Sequence, residues 1–252
     1  MINSLRAEFR KLLTVRSTYV LSIIAILLSV FLSFYVFGIN TRSFEAGNQY
    51  RTQDSVFFIL NNTLFFTGIV SLLLFTHEYR YNTISYTLTS AKNRFRVLMT
   101  KSIVVSVFAV VLGALIVFFT LVFSKWGLSL SGANPVDQIV DFGQIIWRAI
   151  FGSAAIAMFG LIMGGIIRNQ IGTIATYFIA PGTMEGLLGL VLKDNTAYLP
   201  FSALNQVMFA QTGQTTLIQQ PLSPGKSALI VCIYIVVFWL LTLYLLNRRD
   251  AN

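Results

Sequence analysis

Charge is what this chain lacks most. Charged side chains make up only 11% of its 252 residues, where soluble domains carry about a quarter, and so little polar surface cannot wrap a water-facing fold. Cysteine occurs once, as Cys232 within an apolar run, which excludes an intramolecular disulfide. Histidine also occurs once. His77-Glu78 opens like a zinc-protease motif, yet Tyr81 stands where the second histidine would be, and one His with one Cys is too few ligands for the usual metal site. No Gly-x-Ser-x-Gly elbow is present to carry a nucleophilic serine. Gly225-Lys226-Ser227 imitates the end of a phosphate-binding loop, but Gln220 takes the place of that loop's first glycine and an apolar run follows. The chain is therefore expected to be no enzyme by itself and to bind no cofactor or metal.

Apolar residues are what it has: 56% of the sequence, with a mean hydropathy of +0.74. Crossing about 30 Å of hydrocarbon takes roughly 20 apolar residues in a helix. Six runs qualify: 17–38, 55–76, 97–124, 145–167, 171–192 and 227–246. The expected fold is a single all-α integral membrane domain over 1–252 with six transmembrane helices. Residues 1–16 read as an interfacial amphipathic helix rather than a signal peptide. Ile2, Leu5, Phe9, Leu12 and Leu13 recur at helical spacing, Arg6, Glu8, Arg10 and Lys11 take the other side, and no small-residue cleavage site follows.

Basic residues in short loops stay on the cytoplasmic side, and an even number of spans brings both termini to that side. With cytoplasmic termini, that face holds Arg6, Arg10, Lys11, Arg16, Arg80, Lys92, Arg94, Arg96, Lys101, Arg168, Arg248 and Arg249, twelve of the eighteen bases. Its acids are Glu8, Glu78 and Asp250, a balance of 12 − 3 = +9, which equals the net charge of the whole chain. Anionic headgroups account for such a face at about 1 kcal/mol per base, and no soluble domain exists to hold a nucleic-acid groove. Membrane lipids are expected partners; nucleic acid is not.

The stretch from His77 to Lys101, HEYRYNTISYTLTSAKNRFRVLMTK, joins the second and third spans. Thr83, Ile84, Tyr86, Thr87 and Leu88 form a short helix with an apolar side, and Ser90 is placed to cap the next helix, which carries Arg94 and Arg96. This segment, with the interfacial helix and six spans, resembles permease subunits of the type 2 ABC transporter family. Their loop pattern is matched by Glu78 and Arg80, Thr83-Ile84, Leu88, Arg94 and Lys101. Asn82 replaces the usual glycine and Ala91 a common proline. Asparagine tolerates the left-handed backbone a glycine would supply, so the turn is expected to survive.

The resemblance implies an ATP-driven exporter in a bacterial plasma membrane, in which two such permeases, identical or paralogous, form the substrate pathway on separate ABC ATPase subunits that hold ATP and Mg. It implies that 77–96 is a coupling helix loop, with Glu78, Arg80, Thr83, Ile84, Leu88 and Arg94 at the ATPase contact. Ile84 and Leu88 would fill an apolar socket, Lys101 would anchor the third span near the headgroups, and external re-entrant helices in 193–226 would act as a gate.

The remaining readings come from the residues. Pro181-Gly182 should kink the fifth span, and Glu185 in its outer half should face either a partner, with Arg148 near the outer end of the fourth span the first candidate, or a wet outer vestibule. Short external helices are expected over 134–140 and 198–210. Asn61, Asn62, Pro181, Glu185 and Phe201 are the candidate pathway or gate residues. Gly160 and Gly164 allow close helix approach. An amphipathic peptide, drug or lipid-like substrate suits such a bundle. Two alternatives stand beside the exporter: a secondary transporter, which needs mid-membrane ionisable groups and an internal repeat, and a non-transporting immunity or scaffold protein.

Overall fold

A computed structural model describes residues 2–36, 39, 52–84, 86, 93–131, 142–209 and 222–248. Among the described residues every regular element is helical. Helix α1 spans Ile2–Thr14, and Val15, in extended conformation, turns the chain into α2, Arg16–Phe31, which ends in a π turn, Leu32–Val36. Helices α3 (Thr52–Arg80), α4 (Arg94–Ser131) and α5 (Phe142–Ile167) follow. Helix α6, Gln170–Ile179, runs through a π turn, Ala180–Met184, into α7, Glu185–Leu192. A 3-10 turn, Lys193–Tyr198, leads to α8, Pro200–Phe209, and α9 spans Pro224–Arg248.

Six helices are long and apolar enough to cross a membrane, taking α6, the π turn and α7 as one, and they coincide with the six apolar runs. The largest difference is α4. Its 38 residues extend about 57 Å at 1.5 Å per residue, well beyond the hydrocarbon thickness. Its start is capped by Asn93, whose side-chain oxygen accepts from the Phe95 amide at 3.0 Å. Ser90, expected as the cap, lies outside the described residues, as do Leu88 and the helix expected over 134–140.

Helices α3 and α5 form the centre. Buried residues fill 72% of the α3 span window and 61% of the α5 window, against 17% for α2, for α6–α7 and for α9. Glycine permits the central crossing: a Cβ on Gly160 would lie 2.2 Å from the Gly68 carbonyl oxygen, and one on Gly164 would lie 2.8 Å from that of Leu72. The Gly160-xxx-Gly164 spacing thus serves a contact within the chain. Tyr177 of α6 lies across the same place. Its hydroxyl donates to the Phe65 carbonyl at 3.4 Å, where any side chain on Gly68 would collide with it.

The up-and-down order gathers α1, the start of α2, the end of α3, the start of α4, the end of α5 and the end of α9 at one end of the bundle, called the basic end below. Cross-helix bonds fix this grouping: Arg80 to Gln170, Arg94 to the Leu246 carbonyl, and Arg168 to the Leu245 carbonyl. Two arginines therefore meet the last carbonyls of α9, where the helix dipole favours positive charge.

Candidate functional site

Helix α1 is held to the bundle by four charges. Its inner face carries Leu5, Glu8 and Leu12, spaced three and four apart, and Leu12 is buried against a cluster that includes Phe75, Ile84 and Leu98. Glu8 falls on that seam and is 6% exposed. Lys101 of α4 is wholly buried, and its ammonium reaches Glu8 Oε2 at 2.9 Å and Glu78 Oε1 of α3 at 2.8 Å. Lys11 bridges the same acids from α1, at 2.9 Å to Glu8 Oε1 and 2.8 Å to Glu78 Oε1. Two acids and two bases from three helices thus neutralise one another, Glu8, Glu78 and Lys101 buried and Lys11 at the edge with its side chain 44% exposed. Isolated, any of the three buried members would be costly there.

Burial works to raise the Glu8 carboxyl, but the Lys101 charge and the hydrogen bonds from Lys11 and Lys101 outweigh it and hold the group below its ordinary range. Burial likewise works against the Lys11 ammonium, and its hydrogen bonds to Glu78 and Glu8 outweigh that and hold it above its ordinary value. Lys101 also donates to the Leu74 carbonyl at 3.4 Å. Its side chain is therefore enclosed by the bundle, whereas the sequence reading had it anchoring the third span near the headgroups. It ties α1 and α3 to α4.

Next to this cluster α3 ends in a tight turn. Asn82 is left-handed, φ 53°, as the replacement of glycine by asparagine predicts. The Thr83 amide returns to the Glu78 carbonyl at 2.9 Å. Ile84 is 6% exposed and packs into the chain's own core beside Leu12 and Leu98. Its side chain is thus already seated rather than held out for a partner's socket. Tyr81 and Tyr86 are exposed, at 65% and 76%. Arg80 is exposed and donates to Gln170 at 3.1 Å, and Thr83 is exposed. Arg94 is half-buried.

At the opposite end the fifth span changes register through the π turn that contains Pro181. Beyond it Glu185 is buried, and its carboxylate accepts from the amides of Phe201 and Ser202 and from the Ser202 hydroxyl, each at 2.7 Å. Those amides belong to the first turn of α8, so Glu185 caps that helix from another element. The expected Glu185–Arg148 pair is not formed. Arg148 is buried by Gln144, at 3.0 Å, and by the rings of Phe57 and Trp147, with the Met208 carbonyl at 3.5 Å. Backbone donors satisfy the carboxylate where a cation was sought.

A cavity of about 380 Å³ lies between α5, α6–α7, α8 and α9, lined by Ile162, Met184, Glu185, Phe201 and Phe238 among others. Of the five gate candidates the structure brings Glu185 and Phe201 together there. Pro181 bends the helix beside it. Asn61 is half-buried, while Asn62 is exposed and turns its amide back to the Phe58 carbonyl at 2.8 Å. Neither lines that cavity. Glu8 and Lys11 are the members of the ion cluster that the sequence reading missed. The signal was the i, i+3, i+7 placement of Leu5, Glu8 and Leu12, which puts an acid on the apolar face.

Among the described residues no group of three or more His, Cys, Asp or Glu is placed to hold a metal ion. Gly225-Lys226-Ser227 forms the first turn of α9, with the Ser227 amide bonded to the Ser223 carbonyl. No curated protein matches the chain. A family model described as "Protein of unknown function (DUF2705)" matches residues 12–251. With nearly the whole length covered, from the last turn of α1 past the end of α9, the chain belongs to the DUF2705 family.

Proposed function

We propose that this chain is the membrane-spanning permease subunit of an ATP-driven exporter, working as a pair of such subunits on two separate ATPases. One observation carries the reading: the ion cluster of Glu8, Lys11, Glu78 and Lys101, which joins α1, α3 and α4 directly behind the Asn82 turn. A push on the segment after α3 is delivered to three helices at once through rigid, neutralised contacts, and helices packed in this way move as bodies. In this reading the basic end is cytoplasmic, both termini lie there, and the membrane is a bacterial plasma membrane. ATP and Mg sit on the partner.

The contact surface is assigned to exposed groups: Tyr81 and Tyr86, with Arg80 and Thr83 beside them. Ile84 supports the turn from within. Aromatic anchors of this kind carry much of the energy of a protein interface. The apolar cavity beside Glu185 and Phe201 suits a lipid-like or amphipathic peptide substrate. The secondary-transport alternative loses its best residue, because the Glu185 carboxylate is engaged as a helix cap.

The test is co-purification from native membranes with an ATPase, followed by ATP hydrolysis of the complex in nanodiscs. Tyr81→Ala with Tyr86→Ala is expected to reduce the recovered ATPase about tenfold or more, while Lys92→Ala leaves it near the unaltered level. Full recovery of ATPase in the tyrosine double variant, with hydrolysis unchanged, overturns the docking surface. Absence of any ATPase partner overturns the exporter.

A further inference from the structure

A second cavity, of about 630 Å³, opens at the basic end between α1, the first turns of α2, the last turns of α3 and the segment after it. Its floor is aliphatic, formed by Leu12, Val15, Val70, Leu73 and Leu74. Its polar lining groups are Lys11, Thr18, His77, Glu78 and Thr83, with Tyr81 and Tyr86. The volume lies in the range that holds a small amphiphile. Immediately beyond Val15 and Thr18, both on the cavity wall, α2 presents Tyr19, Val20, Ile23 and Leu27, each at least half exposed. On a membrane-spanning helix such a face meets acyl chains.

The two lysines of the ion cluster differ in a way that bears on this cavity. An ammonium carries three N–H donors. Lys101 uses three, on Glu8, Glu78 and the Leu74 carbonyl. Lys11 uses two, on Glu8 and Glu78, and its side chain is 44% exposed at the cavity wall. One donor therefore remains at the polar edge of an apolar hole. Arg6, Arg10 and Arg16 on α1 and the start of α2 are all exposed, whereas the one acid of α1, Glu8, is turned into the cluster. The outer surface of this corner is basic without an offsetting acid.

We propose that this cavity is a binding site for an anionic phospholipid, with an acyl chain on the aliphatic floor and the phosphate at Lys11, on the corner of the bundle that also exposes Arg10 and Arg16. The aliphatic floor selects the chain, the remaining Lys11 donor and the arginines select a phosphate without a choline cation, and the site is reached along α2 from the bilayer. A lipid seated there fills the space behind α1 and props it against α3. The site shares Tyr81, Thr83 and Tyr86 with the proposed ATPase contact, but lipid binding in vesicles of the chain alone is read without an ATPase, so the two proposals fail separately.

The experiment uses the full chain in phosphatidylcholine vesicles containing a trace of phosphatidylglycerol with a photoactivatable acyl chain, with the labelled peptides mapped by mass spectrometry. Labelling is expected to concentrate on the peptides holding Val15 and Val70 to Leu74, and to be displaced by unlabelled phosphatidylglycerol but not by added phosphatidylcholine. Leu74→Trp, at a half-buried position on the wall, should fill the space and lower that labelling several-fold. Lys11→Gln should lower the preference for phosphatidylglycerol several-fold while keeping acyl contact. Labelling spread evenly over the outward faces of α2, α6 and α9 is boundary lipid and overturns the proposal. So does equal displacement by phosphatidylcholine, or unchanged labelling of a folded Leu74→Trp. If Leu74→Trp does not fold, displacement on the unaltered chain decides alone. Failure to label the cavity at all also overturns it and leaves the space to a protein segment.

Discussion

At the scale of single residues, Lys101 and Lys11 share the same two carboxylates but differ in exposure, and this difference predicts unequal costs of removal. Lys101→Met leaves two buried acids facing a half-exposed lysine and is expected to cost about 3–5 kcal/mol, the range for breaking a buried ion pair on one side. Lys11→Gln leaves Lys101 in contact with both acids, and with its side chain 44% exposed its loss should cost under about 1 kcal/mol. Thermal unfolding in a mild detergent checks both, and similar costs would contradict the cluster. The pH dependence follows from the shifts. The Glu8 carboxyl is held below its ordinary 4.5, so its contribution is present above that value and is lost as pH falls through the lower folded-state value. The Lys11 ammonium is held above its ordinary 10.5, so its share is complete below that value and disappears as pH rises through the higher folded-state value. Protease access to α1 should therefore stay flat around neutrality and rise at both extremes; a step near neutral pH would assign the seat of α1 to other groups. For Glu185, the three hydrogen bonds to α8 predict that Glu185→Leu frees that helix start while Glu185→Gln keeps most of it. Cleavage of the 193–223 region by added protease distinguishes them, and equal cleavage in both variants would remove the cap from the account.

Among elements, the crossing of α3 and α5 is the most constrained contact, and two glycines separate packing from propensity. Gly160→Ala sets a methyl 2.2 Å from the Gly68 carbonyl oxygen, and the helices must part. A cost of about 1–3 kcal/mol is expected. Gly186→Ala meets nothing within 4 Å and should be neutral or stabilising by up to about 1 kcal/mol from helix propensity. Equal melting of the two variants would mean that the crossing is looser than drawn. The same contrast explains what the sequence could and could not reveal. Span-length apolar runs are local, so the six helices and the left-handed turn at Asn82 were legible. The overhang of α4 was not: its start at Arg94 was expected, but Lys125 ends the apolar run at Ser124 without ending the helix, which continues to Ser131. Nor was the cluster: Glu8 and Lys101 are 93 residues apart, and sequence distance does not say which base meets which acid. Glu185 misled in another way. Its partners are backbone amides at Phe201 and Ser202, which side-chain chemistry does not advertise, although Pro200 opening a helix and Ser202 two residues on were visible hints. Ile84 has the composition of a docking anchor. Its burial against Leu12 and Leu98 assigns it to the interior, so Ile84→Ala should loosen the chain itself and melt earlier even without any partner.

For the whole molecule, the folded chain converts a list of charges into an end. Arg6, Arg10, Lys11, Arg16, Arg80, Arg94, Arg96, Lys101, Arg168 and Arg248 all fall on helix ends that the Lys101, Arg94 and Arg168 contacts hold together. Lys125, Arg148, Lys193 and Lys226 lie toward the other end, the last three on helix ends or turns that flank Glu185 and α8 in the up-and-down order. A basic end is retained on the cytoplasmic side, because each lysine or arginine carried across costs desolvation and works against the membrane potential. The prediction is a topology. In a Cys232→Ser background, single cysteines at Ser4 and Ser90 should react with an impermeant maleimide only in inside-out vesicles. Cysteines at Gly47, Gly132 and Gly213, which the charge rule puts outside, should react only in intact cells. Six spans require the two sets to be complementary, so the result tests helix count and orientation separately. Complete inversion of the pattern would keep the bundle and place the basic end outside, which removes the Asn82 turn and its tyrosines from any cytoplasmic ATPase. Mixed reactivity within one set would mean that one of the six helices does not cross, and the candidate would be α6–α7, whose Pro181 turn and mean hydropathy of 1.3, the lowest of the six, make it the least supported span. Agreement in both preparations would leave the segment from Tyr81 to Arg94 facing the compartment where ATP is found, the condition on which the exporter reading depends.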